Sequence, residues 1–128
     1  MHCPACSKTM IILEFKNIEL DFCPACEGCW LDRGELGLIL HGEVHLPEDW
    51  EIRHSGKSGR RCPRCNGKMK TGSLPGTPVE VDECVKAHGL WLDKGELQEV
   101  LNAKGDAVHA TALAKFVAGV FGTKEESR

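Results

Sequence analysis

CPACEGCWLDRGEL runs from Cys23 to Leu36 and CVKAHGLWLDKGEL from Cys84 to Leu97, so one phrase occurs twice in 128 residues. Each copy follows a matching pair of thiols, CPAC at Cys3 to Cys6 and CPRC at Cys62 to Cys65. Soft ligands set ahead of a Trp-Leu-Asp and a Gly-Glu-Leu, and repeated once, describe a metal-nucleated unit in duplicate. Each unit is about forty residues long, a size at which buried apolar surface rarely offsets chain entropy without disulfides or a structural metal. Cysteine supplies that staple.

Eight cysteines can build a disulfide framework in a secreted protein or metal sites in a cytosolic one. The spacing favours metal, because paired C-x2-C thiols on either side of a hairpin-length stretch are the pattern of a zinc site. His2 and Cys3 follow Met1 directly, so no export segment is read ahead of the first ligand and a cytoplasmic location is expected. In the first unit Cys3, Cys6, Cys23 and Cys26 supply four thiolates, a complete tetrahedron. The prolines at 4, 24 and 63 fix φ at the start of each turn and let the following amides point at the first sulfur. In the second unit, aligning Trp30 with Trp91 puts Ala87 where Cys26 stands. His88 is the next residue, and C-x3-H remains within reach of one ion, which assigns Cys62, Cys65, Cys84 and His88 to the second site. The rival is a three-cysteine site that admits water and can activate it. Two zinc ions per chain are therefore expected. Cys29 has Leu90 as its counterpart; a buried apolar thiol is the preferred reading, against an exchanging ligand or a reactive group.

Ile18, Leu20 and Phe22 alternate with Glu19 and Asp21, which predicts a strand running into Cys23, with Met10 to Phe15 as its partner. Lys16-Asn17 between them suits a tight turn, since Asn tolerates positive φ. The second unit repeats the strand as Val79, Val81 and Glu83 after a turn from Gly72 to Pro78. Leu36, Ile39 and Leu40, and then Leu97, Val100 and Leu101, have helical spacing. Asp32 with Glu35, and Asp93 with Glu96, read as capping boxes rather than catalytic carboxylates. The units span residues 1–41 and 62–105. Residues 42–61 are a linker whose basic end, Arg53 to Arg64, reads as a solvated loop or a contact for an acidic partner. In 106–128, Leu113, Phe116, Val117, Val120 and Phe121 predict an amphipathic helix of about four turns.

Several chemistries are set aside. The formal net charge is −3, and thiolate ligation brings the loaded chain to about −6, so phosphate backbones find no general attraction. No stretch reaches the about 20 apolar residues of a membrane span. Gly56-Lys57-Ser58 lacks the upstream glycine of a phosphate-binding loop, and His41, Glu43 and His45 place the acid one position away from the metalloprotease order.

CPxC, a hairpin, C-x2-C and then G-x-W-L-D-x-G-E-L together resemble the transcription factor IIB-like zinc-ribbon family. The resemblance covers both units and departs at Ala87. It implies a small metal-stabilised α+β fold: two tandem zinc ribbons, each a β-hairpin plus a short helix, followed by the C-terminal helix. It also implies a link to transcription. The function expected is a non-enzymatic zinc-binding adaptor for a protein partner, with a second copy of the chain, through residues 106–121, as a candidate partner. Nucleic-acid binding through the ribbon loops is the first alternative. A zinc- or thiol-dependent enzyme or redox protein using the imperfect second site is the other.

Overall fold

The alternation in the first unit becomes a hairpin of β1 (Ile11–Phe15) and β2 (Ile18–Phe22), five residues paired with five. Lys16 and Asn17 turn the chain with φ of 55° and 64°, the two-residue geometry that matches strand twist. A computed structural model describes residues 1–41, 52–104 and 107–119.

Trp-Leu-Asp is also a strand. Cys29–Asp32 form β3 and, in the second unit, Gly89–Leu92 form β7, whose four residues are all buried. A short apolar run buried on both faces shows no alternation, so its strand character is hidden in the sequence. The second unit supplies β5 (Lys68–Ser73) and β6 (Glu80–Cys84) as its hairpin. The turn begins later than expected, at Leu74, whose amide donates to the Val79 carbonyl at 3.1 Å. Gly72 lies inside β5, where a Cβ would sit 2.4 Å from Ile52 Cγ2.

The units do not stand as separate hairpin-and-helix ribbons. The strands of the described residues join one seven-stranded antiparallel sheet in the order β1-β2-β3-β7-β6-β5-β4, where β4 is Arg53–Arg61. The basic stretch read as a loop is thus an edge strand. Its Gly, Ser and basic residues suit a position where only one side must pair. The seam between the units is β3 against β7, with Trp30 opposite Trp91 and both Cys29↔Leu92 and Leu31↔Leu90 about it. Exchanging the repeats exchanges these pairs, so the seam is a local two-fold axis.

Successive residues of β3 and β7 point to opposite faces. On one face Leu31, Leu92, Leu20, Val81 and Cys29 meet the helices, and on the other Trp30 and Trp91 join Met10, Met69 and the buried ligand cysteines. Helices α1 (Glu35–His41) and α2 (Glu96–Lys104) bury Leu36, Ile39, Leu40 and Leu97, Val100, Leu101. The third helix, α3 (Ala107–Val117), reaches back to the first unit: Leu113 is buried, and the Phe116 ring lies 5.4 Å from that of Phe15. Part of the face assigned to a second copy is therefore covered within the chain. Val120, Phe121 and Trp50 lie outside the described residues, as do Glu43 and His45.

Candidate metal centres

A C-P-x-C turn aims amides at sulfur. Cys3 Sγ accepts from Ala5 and Cys6 N–H at 3.3 and 3.4 Å, Cys23 Sγ from Cys26 N–H at 3.4 Å, and Cys62 Sγ from Arg64 N–H at 3.3 Å. These three turns close alike, the amides of Ser7, Glu27 and Asn66 donating to the carbonyls of Cys3, Cys23 and Cys62. Each closing residue has positive φ.

The turn at Cys84 is different. It closes one residue sooner, Ala87 N–H donating to Cys84 O at 2.8 Å, and the positive φ falls on Ala87. The shorter turn brings His88 forward, its Nδ1 3.4 Å from Cys84 Sγ. The imidazole reaches further than a thiol, so the ligand atom keeps its place although the residue has shifted by one. Cys84 Sγ still accepts from Lys86 N–H at 3.4 Å.

The structure brings together Cys3, Cys6, Cys23 and Cys26 in one group and Cys62, Cys65, Cys84 and His88 in the other, with the ligand atoms of each within 4.8 Å of one another. The Cys3–Cys26, Cys6–Cys23 and Cys65–Cys84 sulfurs are 3.6, 3.4 and 3.7 Å apart. A zinc tetrahedron with bonds of about 2.3 Å has edges of about 3.8 Å. The donor sets therefore fit zinc, and each group can hold one ion. Without metal, burial pushes the Cys3 thiol up to about 12 and Cys62 to about 11. Loading must displace those protons.

The Trp, Asp, Gly and Glu of the repeated phrase brace the elements beside these groups. The Trp30 indole N–H donates to Asp32 Oδ1 at 2.8 Å and Trp91 to Asp93 Oδ1 at 3.0 Å. The glutamates reach back as a capping box requires: Asp93 N–H donates to Glu96 Oε1 at 2.7 Å, and Asp32 N–H to Glu35 Oε1 at 2.5 Å. The aspartate carboxylates, however, are taken up by indoles and arginines. Gly34 and Gly95 carry φ of 91° and 81°, the conformation that glycine adopts without strain.

The first glycine of the phrase serves the other repeat. A Cβ on Gly28 would lie 2.4 Å from Trp91 Cζ2, and one on Gly89 would lie 2.7 Å from Trp30 Cζ2 and 2.3 Å from Leu31 O. Each tryptophan thus crosses the seam onto its counterpart's glycine. Sequence reasoning missed this contact, although Gly-x-Trp in both copies was its signal. It also missed two arginine braces. Arg64 binds Asp32 with two nitrogens, Nε at 2.6 Å, and Arg60 Nη1 reaches Asp82 and Asp93, each at 2.9 Å. The Arg64 hydrogen bond, outweighing burial and helped by the Trp30 bond, holds the Asp32 carboxyl below its ordinary value.

Cys29 stays apart from both groups. It is buried against Leu31 and the helices, and burial pushes its thiol up to about 12, the state of an unreactive core thiol.

The transcription factor zinc-finger model matches residues 2–41 and 61–103. The chain belongs to that family. The two matched segments are the two repeats, and they contain both ligand groups and both halves of the Trp-over-Gly seam. No curated protein matches the chain, and no solved structure does. Among the described residues, no helix of this family member is long and apolar enough to cross a membrane.

Proposed function

We propose that the chain is a non-enzymatic adaptor, a zinc-stabilised protein-interaction module that works in the cytoplasm, in transcription or its regulation. Cys3, Cys6, Cys23 and Cys26 hold one zinc ion, and Cys62, Cys65, Cys84 and His88 the other. The observation that carries this reading is the four-ligand closure of each group, which leaves a bound zinc no position for substrate. When bound, zinc supplies folding energy and a fixed framework. The nearby carboxylates have structural partners: Asp32 and Asp93 take indoles and arginines, and Glu35 and Glu96 take backbone amides.

The same contacts weigh against nucleic acid. Arg60 and Arg64 are paired with aspartates, and His54 Nε2 lies 2.7 Å from Glu83. Two of the cations of the basic stretch, Arg60 and Arg64, are thus paired within the chain. Cross-linking of the zinc-loaded chain in cells, followed by titration of labelled DNA and RNA at low and moderate salt, tests the reading. A defined protein partner and no nucleic-acid binding at low salt are expected; salt-sensitive binding of DNA or RNA without a protein partner would replace the adaptor by a nucleic-acid module.

A further inference from the structure

The two ends of the sheet are not alike. β4 closes the second repeat's end with Arg53, His54, Lys57, Arg60 and Arg61, and its pairing slips between His54 and Gly56 and again between Lys57 and Arg61. Charges and irregular pairing of this kind keep an edge from recruiting another strand. β1, at the other end, pairs with β2 through five consecutive residues without a slip. Ile11 is 42% and Ile12 65% exposed. Among the described residues no strand lies on the outer side of β1.

The second repeat shows what such an edge accepts. Ile11 and Ile12 stand opposite Phe22 and Asp21 as Lys70 and Thr71 stand opposite Glu83 and Asp82, so β1 holds the place of β5. Outside β5 lies β4, which brings Arg60 to Asp82 at 2.9 Å and His54 to Glu83 at 2.7 Å. Asp21 is the first-repeat counterpart of Asp82. Arg64, whose field reaches Asp21, is hydrogen-bonded to Asp32 instead. Glu14 and Glu19 are exposed and directly opposed in register. Like charges so placed repel. Asp21, Glu14 and Glu19 share one face of the hairpin, because Ile12↔Asp21 and Glu14↔Glu19 are alternate pairs of one register.

We propose that the outer edge of β1 is the docking site for an extended basic segment of a partner protein. That segment adds as a further strand beside β1 and sets its lysine or arginine side chains against Glu14, Glu19 and Asp21. Backbone pairing supplies affinity and the carboxylates supply selectivity. The inference rests on the protein-interaction reading above and names where the partner sits.

The test uses the full zinc-loaded chain and a labelled peptide of sequence RHSGKSGRR, the sequence of β4. Saturable binding by fluorescence anisotropy is expected at low salt, with slowed amide exchange in Ile11–Phe15. The double variant Glu14→Lys with Glu19→Lys, checked for unchanged zinc content, binds about tenfold or more weakly. A peptide N-methylated at alternate residues keeps its charge, cannot complete the strand ladder, and loses binding. Absence of binding at millimolar peptide overturns the proposal. So does equal binding of the methylated peptide, which would mean charge attraction alone, and so does protection confined to β5 or β6. A cellular partner whose cross-links avoid β1 and survive the double variant would remove this edge assignment while leaving the adaptor reading standing.

Discussion

His88 lies where the duplication is broken, and the geometry of its turn makes a sharp expectation. Ala87 with its positive φ of 60° shortens the turn at Cys84 and hands the fourth position to an imidazole. Structural zinc sites contribute about 10–16 kcal/mol, so one ligand in four is worth about 3 kcal/mol, or about 100-fold in affinity. His88→Ala should therefore lower zinc affinity at the second site about 100-fold and reduce the metal content after dialysis to one ion per chain. Two ions retained at parental affinity would remove His88 from the ligand set. A second expectation concerns Gly89, where an added Cβ would press on Leu31 O at 2.3 Å and on the Trp30 ring. Backbone and a fully buried indole cannot step aside, so Gly89→Ala should cost about 1–3 kcal/mol in denaturant unfolding of the loaded protein. Gly56→Ala, with nothing within 4 Å of the new atom, is the control and should change stability by about 0.5 kcal/mol or less.

At the scale of elements, the caps that start α1 and α2 carry a pH signature. Burial, opposed by the amide bonds from Asp32 and Asp93, pushes the Glu35 and Glu96 carboxyls up from the ordinary 4.5 to about 7. The folded state then binds protons more tightly than the unfolded chain between those values. Stability therefore falls as pH rises through that window and is level above it. Glu35→Gln with Glu96→Gln keeps an oxygen for each backbone amide but removes the titration. The pair should melt above the parent at about pH 8 and approach it at about pH 5; a difference that stays constant with pH would refute the burial argument. The docking of α3 is a separate matter. A double-mutant cycle on Phe15→Ala and Phe116→Ala should give a coupling of about 0.5–1.5 kcal/mol, and zero coupling would mean the rings do not meet in solution. The hairpin turn at Lys16-Asn17, the ligand groups and the helical face of Leu36, Ile39 and Leu40 were legible in the sequence because each rests on local period or spacing. β3 and β7 were not, because residues buried on both faces carry no alternation. β4 was hidden for the opposite reason. Its glycines, serines and basic residues have little strand preference, and the edge of β5 imposes the extended form.

For the whole molecule the decisive feature is that the repeats share one sheet and exchange their tryptophans. Trp30 and Trp91 have no exposed surface, and each rests on a glycine of the other repeat. Arg64 to Asp32 and Lys94 to Glu27 tie the same two halves. An independent first ribbon would uncover Trp30 on one side and leave the seam edge of β3 without β7. The loss of Trp burial alone amounts to about 3 kcal/mol or more, a large fraction of what a domain of this size has in reserve. Metal loss at one site should therefore be felt at the other. In Cys84→Ser, which removes a ligand only from the second group, the zinc held by Cys3, Cys6, Cys23 and Cys26 should exchange faster with chelator than in the parent. Amide exchange in β3 should accelerate together with that in β7. Denaturant unfolding of the loaded parent should be a single transition, superimposable by tryptophan fluorescence and far-ultraviolet circular dichroism. Two separated transitions, or a first site whose chelation rate ignores the damaged second one, would show that the β3–β7 seam does not couple the repeats.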